Sequence, residues 1–267
     1  MLGTRPAAVA GTFYPGDPAT LALTVDRLLA AARHDMPIQP KALIAPHAGY
    51  VYSGATAAAA YAALAPWADA IHRVILLGPT HRVAVNGMAL PESGTFSTPL
   101  GSIRLDSQAI AGIADLPQVV FSEQAHALEH SLEVHLPFLQ RVLPRFSLVP
   151  LAVGHASPEA VAEVLNILWG GPETLIVVSS DLSHFLPYGT ARQVDGNTCR
   201  HILQLDTHIR PEQACGAYPV NGLLLAATRR GLKPTLLGLC NSGDTAGDRD
   251  RVVGYAAFAF EEPDPHA

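Results

Sequence analysis

The chain has 267 residues, of which 49% are hydrophobic and 15% charged, and its formal net charge is −6. This composition predicts a folded protein, because disordered chains contain fewer apolar residues and more charge. The negative charge argues against nucleic acid as a partner, and the sequence contains no run of 18 or more apolar residues that would predict a membrane span.

Three further expectations follow from the overall sequence. The N-terminal residues lack the charged and then apolar pattern of a signal peptide, so we expect a cytoplasmic protein. The low charged fraction is consistent with a homo-oligomer, in which a second subunit covers part of the surface, and equally with a large apolar core. The three cysteines, Cys199, Cys215 and Cys240, form no CxxC pair, so neither a zinc knuckle nor a redox dithiol is indicated. Each is expected to be a small buried residue.

Along the chain, short apolar runs alternate with segments of helical periodicity. Turn residues at 11–17 precede a predicted helix at 20–33. Strands are then predicted at 42–45, 74–77, 148–153, 175–178, 235–240 and 251–260, helices at 55–64, 107–114, 129–142, 158–168, 197–207 and 219–229, and a hairpin within 83–106. This alternation predicts a three-layer α/β/α fold with a mostly parallel central sheet. No linker or internal repeat divides the sequence, so we predict one domain over residues 1–267.

Most of the predicted strands are followed by residues that can bind a metal ion or transfer a proton. In α/β sheets the ligand crevice lies at the carboxyl ends of the strands. The sequence therefore predicts an active site assembled from distant segments. The residues concerned are His47, His81, His155, Asp181 with His184, and Asp244.

His47 and His81 form the strongest candidate pair. Each lies in a proline-containing turn directly after a strand, and imidazole is a good ligand for iron, copper and zinc. With Asp244 they would give two histidines and one carboxylate, the arrangement of non-haem iron oxygenases. The alternative is that the histidines are ordinary loop residues and that Asp244, beside Gly243, stabilises a turn.

Asp181 and His184 follow the fourth strand. His184 could act as a general acid or base, with Asp181 orienting its ring. Ser180 beside them suggests a serine nucleophile, but the chain contains no G-x-S-x-G motif. The structural alternative is that Asp181 caps the next helix.

Residues 126–130 match the H-x-x-E-H pattern of inverted zinc proteases through His126, Glu129 and His130. Glu133 and His135 follow closely. The alternative is that this segment starts a helix, with Glu129 and His130 supporting the crevice or facing solvent. Nucleotide binding is not supported, because the chain has neither a P-loop nor G-x-G-x-x-G.

Six segments in register resemble the Memo family, which in bacteria and archaea is called AmmeMemoRadiSam system protein B. Together they extend over essentially the whole chain. The segments are residues 6–15, 44–54, 77–81, 129–137, 178–184 and 253–257.

The resemblance implies a fold like that of the class III extradiol dioxygenases, which are non-haem iron enzymes, and a pocket for iron or copper at one edge of the sheet. The family's two metal-binding histidines correspond to His47 and His81, and its pocket histidine to His184. His130 lies in a motif that the family also places beside the pocket.

The third ligand does not carry over directly. Animal members use a cysteine whose position falls on Thr245 here, and Cys240 lies too early in the sequence. We therefore expect Asp244 to be the third ligand, since a carboxylate is the better ligand for a hard metal. This choice favours iron (Fe²⁺) over copper, with zinc as a further option. It leaves open a site with two protein ligands.

The expected function is a mononuclear non-haem iron or copper oxidoreductase acting on an unknown small-molecule substrate. His184 would transfer a proton, supported by Asp181 or His130. The alternative is a non-catalytic metal- or peptide-binding scaffold. The resemblance implies that such a scaffold would work with a radical-SAM protein and an AMMECR-type partner.

Overall fold

A large mixed sheet forms the centre of the protein. The computed structural model describes residues 3–32, 36 and 39–263, so the end of the predicted helix at residue 33 and the two ends of the predicted domain lie outside the described part. The strands are β1 Thr4–Arg5, β2 Pro40–Ala45, β3 Arg73–Pro79, β4 Met88–Leu90, β5 Thr95–Thr98, β6 Gly101–Arg104, β7 Val119–Phe121, β8 Ser147–Val153, β9 Thr174–Ser179, β10 His184–Leu186, β11 Lys233–Asn241 and β12 Val252–Glu261.

The strand order of the large sheet is β10-β12-β2-β9-β3-β8-β4-β7, and β11 also pairs with β12. The central strands β2, β9, β3 and β8 are parallel, whereas β12 and β4 pair antiparallel with β2 and β8. A small separate sheet contains β1, β5 and β6. The predicted parallel centre is confirmed. Its strands are continuous apolar runs because both of their faces are buried.

Helices cover both faces of the sheet. They are α1 Pro18–Ala31, α2 Tyr50–Ala62, α3 Ser107–Ala111, α4 Glu123–Ala127, α5 Leu136–Val142, α6 Pro158–Leu168, α7 Tyr188–Leu203 and α8 Ala217–Arg230. One apolar core contains residues of α1, α2 and α5, and a second contains residues of α6 and α8. The result is the predicted α/β/α arrangement. None of the described helices is long and apolar enough to cross a membrane.

Two helix predictions differ from the structure in a way that affects the site. The helix expected at 129–142 begins only at Leu136. Its first part is irregular because the Glu129 carboxylate accepts hydrogen bonds from the backbone amides of His130 and Ser131, which competes with helical hydrogen bonding. Helix α7 begins at Tyr188, before the predicted residue 197; its buried positions have helical spacing, but two of them are the polar residues Asp195 and Thr198, which hide the apolar period.

Candidate metal centre

Three imidazoles converge at the edge of the sheet where the parallel strands have their carboxyl ends. His47 follows β2 and His81 follows β3, with β9 between these two strands. His130 comes from the irregular segment before α5. Ring centroids lie 5.2 Å apart for His47 and His81, 5.4 Å for His47 and His130, and 4.7 Å for His81 and His130. One nitrogen of each ring lies within 4.8 Å of the others, so this imidazole group could hold a metal ion.

The ring of His47 is oriented by two successive hydrogen bonds through the Ser179 hydroxyl, which we call the serine relay. Its Nδ1 lies 2.6 Å from Oγ of Ser179, and that hydroxyl donates to the carbonyl of Ser131 at 2.7 Å. Since the hydroxyl proton is already used, the hydroxyl must accept from Nδ1–H, which leaves the lone pair of the ring on Nε2. His47 is 2% exposed, and burial lowers its pKa well below the ordinary value, an effect that His81 and His130 reinforce. The ring is therefore held neutral.

His81 is oriented by a buried carboxylate. Its Nδ1 lies 2.9 Å from Oε1 of Glu129, and its backbone N–H donates to Oε2 at 2.6 Å. Burial opposes the charge on Glu129, but hydrogen bonds from His81 and from Ser131 outweigh it, so the pKa of Glu129 falls to about 2. A carboxylate bound to Nδ1 fixes the tautomer and makes Nε2 the better ligand. The His81 side chain is 31% exposed, which opens the group to solvent.

His130 completes the group. Its ring stacks on His81 and contacts Phe13, with a centroid distance of 4.7 Å to the phenyl ring. Its Nδ1 lies 3.3 Å from Oε1 of Glu129, and burial lowers the pKa of His130 to about 4. The sequence assigned His130 a supporting role beside His47 and His81, and a zinc-site role only in the H-x-x-E-H alternative.

Asp181, which follows β9, lies directly beside His47. Its Oδ1 accepts the backbone N–H of His47 at 2.8 Å, and Oδ2 is 3.9 Å from Nε2. Burial raises the pKa of Asp181 to about 7. His184, on β10, is close enough to His81 for that ring to lower its pKa, although burial is the larger cause. Among the described contacts there is no hydrogen bond between Asp181 and His184, so the predicted pairing of these two residues is not formed.

The sequence did not assign a role to Cys215, which the fold brings to the same place. Its Sγ lies 3.4 Å from Nε2 of His47 and accepts the backbone N–H of Asp181 at 3.3 Å. Burial raises the pKa of the Cys215 thiol, so the thiol is protonated. No spacing motif could have revealed this contact, because 168 residues separate the cysteine from the histidine.

Asp244, the expected third ligand, has other partners in the structure. That residue is exposed and belongs to a 3₁₀ turn. Its carboxylate accepts hydrogen bonds from the Tyr188 hydroxyl at 2.6 Å and from the backbone N–H of Asn241 at 3.1 Å. Among the described residues the imidazole group contains His130 and not Asp244. The neighbouring candidates are also engaged elsewhere: Thr245 donates to Ser242, and Cys240 contacts Thr56. A short loop rich in Gly and Asp satisfies its own backbone, which is the turn alternative.

Two other sequence candidates lie apart from the group. The ring of His155 packs on Tyr218. His126 is buried with Nε2 2.8 Å from the carbonyl oxygen of Ala89, while Glu129 is bound to His81. The H-x-x-E-H match therefore does not form the protease-like site.

A buried ion pair holds the segment that carries Glu129 and His130. Arg5 and Glu133 are both fully buried and in contact. Arg5 also donates to the carbonyls of His126 and Glu129. The Glu133 carboxylate accepts from the backbone amides of Ala8 and Val9 and from the Tyr14 hydroxyl. We call these residues the Arg5–Glu133 network; it ties the N-terminal residues to the irregular segment before α5.

Comparison with known proteins agrees with this architecture. The family model described as Memo-like protein matches residues 5–259. A MEMO1 family protein from Aquifex aeolicus (strain VF5) is 35% identical over 268 residues, covering 96% of this chain and 98% of the relative. A MEMO1 family protein from Methanosarcina barkeri (strain Fusaro) is 36% identical over 277 residues, covering 96% and 100%.

One solved structure, titled uncharacterized protein JW3007 from Escherichia coli K12, matches with a TM-score of 0.52 and 13% identity. The match covers 82% of this chain and 99% of that one, and it shows a shared fold. The matches to the family model and to the two relatives extend over nearly the whole sequence, so the chain belongs to the Memo-like family.

Proposed function

We propose that the protein binds one first-row transition-metal ion, foremost Fe²⁺, through ring nitrogens of His47, His81 and His130, and that it is an oxidoreductase acting on a small molecule. One observation carries the proposal: one nitrogen of each imidazole lies within 4.8 Å of the others, and the Nδ1 atoms of His47 and His81 are bound to acceptors, which leaves the lone pair of each of these two rings on Nε2. Surface histidines that meet by chance have no reason to share such support.

The ligand set fits a transition metal better than magnesium or calcium. Neutral imidazole suits iron, copper, nickel and zinc, whereas magnesium and calcium prefer oxygen ligands. The lowered pKa values of His47 and His130 keep both rings neutral at physiological pH, which metal binding requires. Three protein ligands leave positions open, as in catalytic metal sites. A bound ion would supply Lewis acidity and, with iron or copper, a site for electron transfer.

The residues around the imidazole group could handle protons. Burial and the nearby His81 keep His184 neutral, so its ring can accept a proton from a molecule at the open side. Burial raises the pKa of Asp181 to about 7, so near neutral pH this carboxyl can both hold and release a proton. These two groups give the site a base and an acid without sharing a hydrogen bond.

Metal titration of the metal-free protein tests the first part. Under anaerobic conditions we expect one equivalent of Fe²⁺ to bind, with copper and zinc compared in parallel. Because the loss of an orienting residue alone typically weakens metal binding 10- to 100-fold, His47→Ala and His81→Ala should weaken it by about 100-fold or more. His208→Ala is the matched control, since His208 is 88% exposed and paired with Asp206. Unchanged iron binding by His47→Ala would contradict the proposal.

Oxygen uptake tests the oxidoreductase part. We expect Fe²⁺-dependent oxygen consumption with catechol-type probes, lost in His184→Ala while metal binding is retained. Intact metal binding with no turnover of any probe would instead support a metal-binding scaffold.

A further inference from the structure

We propose that the Cys215 thiol hydrogen-bonds to Nε2 of His47 in the metal-free protein and is displaced when the metal binds, so that Cys215 limits metal affinity. The inference rests on the proposed use of His47 as a metal ligand. It adds Cys215, a residue from a different part of the chain, as a competitor for the Nε2 lone pair of His47.

The direction of the hydrogen bond follows from the serine relay. The Ser179 hydroxyl donates to the Ser131 carbonyl, so Nδ1 of His47 must carry the ring proton and Nε2 must be an acceptor. Cys215 Sγ lies 3.4 Å from this nitrogen, closer than the other acceptor within reach, the Asp181 carbonyl at 3.7 Å. The S–H group therefore donates to Nε2. Without it, a buried ring nitrogen would be left unsatisfied, which costs free energy.

The backbone around Cys215 is built to hold the sulfur there. The backbone N–H of Cys215 donates to the Asp181 carbonyl at 3.2 Å, and that of Gly216 donates to the Ser180 hydroxyl at 3.0 Å. A Cβ at Gly216 would lie 2.5 Å from the carbonyl oxygen of Ser179, so only glycine permits this approach. The close approach of Gly216 to Ser179 therefore places the Cys215 thiol against His47.

The sulfur is better placed to compete than to coordinate. It lies next to His47, yet the compact group of metal-capable atoms among the described residues contains only the three imidazoles. The other two cysteines have different surroundings: Cys240 contacts Thr56, and Cys199 lies on α7 and is buried in the core. When a metal ion takes the lone pair of Nε2, the S–H···N hydrogen bond is lost and the thiol keeps its proton.

Substitutions at Cys215 test the inference through the direction in which metal affinity changes. A hydrogen bond of this kind contributes about 0.5–1.5 kcal/mol, and 1.4 kcal/mol is tenfold in affinity, so Cys215→Ala should bind metal about 2- to 10-fold more tightly than the wild type. Cys215→Ser keeps a donor, and its affinity should fall below that of Cys215→Ala. Cys240→Ala is the matched control and should leave the affinity unchanged.

A second measurement does not depend on metal affinity. The infrared S–H stretching band of metal-free wild-type protein should include a hydrogen-bonded component that Cys215→Ala removes and that one equivalent of zinc shifts towards the free thiol position. Equal or weaker metal binding by a folded Cys215→Ala would overturn the inference. So would a metal–sulfur distance of about 2.3 Å in X-ray absorption of the zinc-loaded wild type, since that distance would make Cys215 a ligand. If metal binding survives His47→Ala, the proposed centre itself is wrong, and the inference fails with it.

Discussion

Two clusters of buried polar residues lie side by side in this protein, and they differ in how completely their hydrogen bonds are satisfied. In the Arg5–Glu133 network, both Glu133 oxygens and three nitrogens of Arg5 have partners within the protein. In the imidazole group, the strong partners are on Nδ1 of His47 and His81, whereas Nε2 of His47 has the weakly donating Cys215 thiol at 3.4 Å. A satisfied cluster stabilises the fold, whereas a cluster whose ring nitrogens have only a weak partner is available for a ligand.

The residue Glu129 connects the two clusters. Its backbone carbonyl accepts from Arg5, and its carboxylate supports His81. The Arg5–Glu133 network therefore holds in place the segment that carries Glu129, and Glu129 in turn orients His81. The following predictions separate the two roles, beginning with the largest expected effect.

Breaking the buried ion pair should affect stability most strongly. Glu133→Gln leaves the Arg5 charge buried without a counter-charge, so we expect the free energy of unfolding to fall by about 3–5 kcal/mol. Urea denaturation measures it. The exposed pair Arg141–Asp26 is the matched control, and Asp26→Asn should cost less than about 1 kcal/mol. Equal losses in the two variants would mean that the network does not stabilise the fold.

Acid should destabilise the protein through His126, whose carbonyl belongs to the network. Burial lowers the pKa of its ring to about 4, below the ordinary value of about 6.5 in an unfolded chain. The unfolded state therefore binds the proton first. Stability is retained above pH 6.5 and is lost as the pH falls towards 4, by at most about 3 kcal/mol. His126→Gln should reduce this loss and the exposed His208→Ala should not; a pH-independent stability would contradict the prediction.

Gly216→Ala tests the close approach that brings Cys215 to the site. Because its Cβ would lie 2.5 Å from the Ser179 carbonyl oxygen, we expect a loss of about 1–3 kcal/mol in thermal unfolding experiments. Gly196→Ala is the control, since a Cβ at that helical position meets nothing within 4 Å, and it should gain up to about 1 kcal/mol. If Gly216→Ala is neutral, the backbone there is not closely packed.

Glu129→Gln tests whether the support of His81 matters for the metal. Loss of an orienting carboxylate should weaken metal binding about 10- to 100-fold while the fold is retained. Glu123→Gln is the control, because Glu123 binds the backbone amides of Glu92 and Ser93. Isothermal titration with zinc would measure both. Unchanged affinity in Glu129→Gln would remove the distinction between the two clusters.

The smallest effect is expected at Asp244. Asp244→Asn should leave metal affinity unchanged and lower the free energy of unfolding by less than about 1 kcal/mol, since asparagine also caps turns. A marked loss of metal binding in this variant would restore Asp244 as the third ligand.

The sequence by itself determined the layers of the fold and much of the site. Continuous apolar runs identified the central strands, because a strand buried on both faces has no polar period. Since the carboxyl ends of parallel strands share one edge, the same reasoning indicated that His47, His81 and Asp181 should meet.

Only the tertiary structure decided the remaining contacts. His130 joins the group because the Glu129 carboxylate and the Arg5–Glu133 network hold an irregular segment that periodicity predicted as helix. Cys215 reaches His47 across 168 residues because Gly216 admits a close backbone contact. Asp244 caps its own turn because the local hydrogen bonds were available within three residues. Side-chain hydrogen bonds between distant segments leave no periodic signal in a sequence, so they become visible only once the chain is folded.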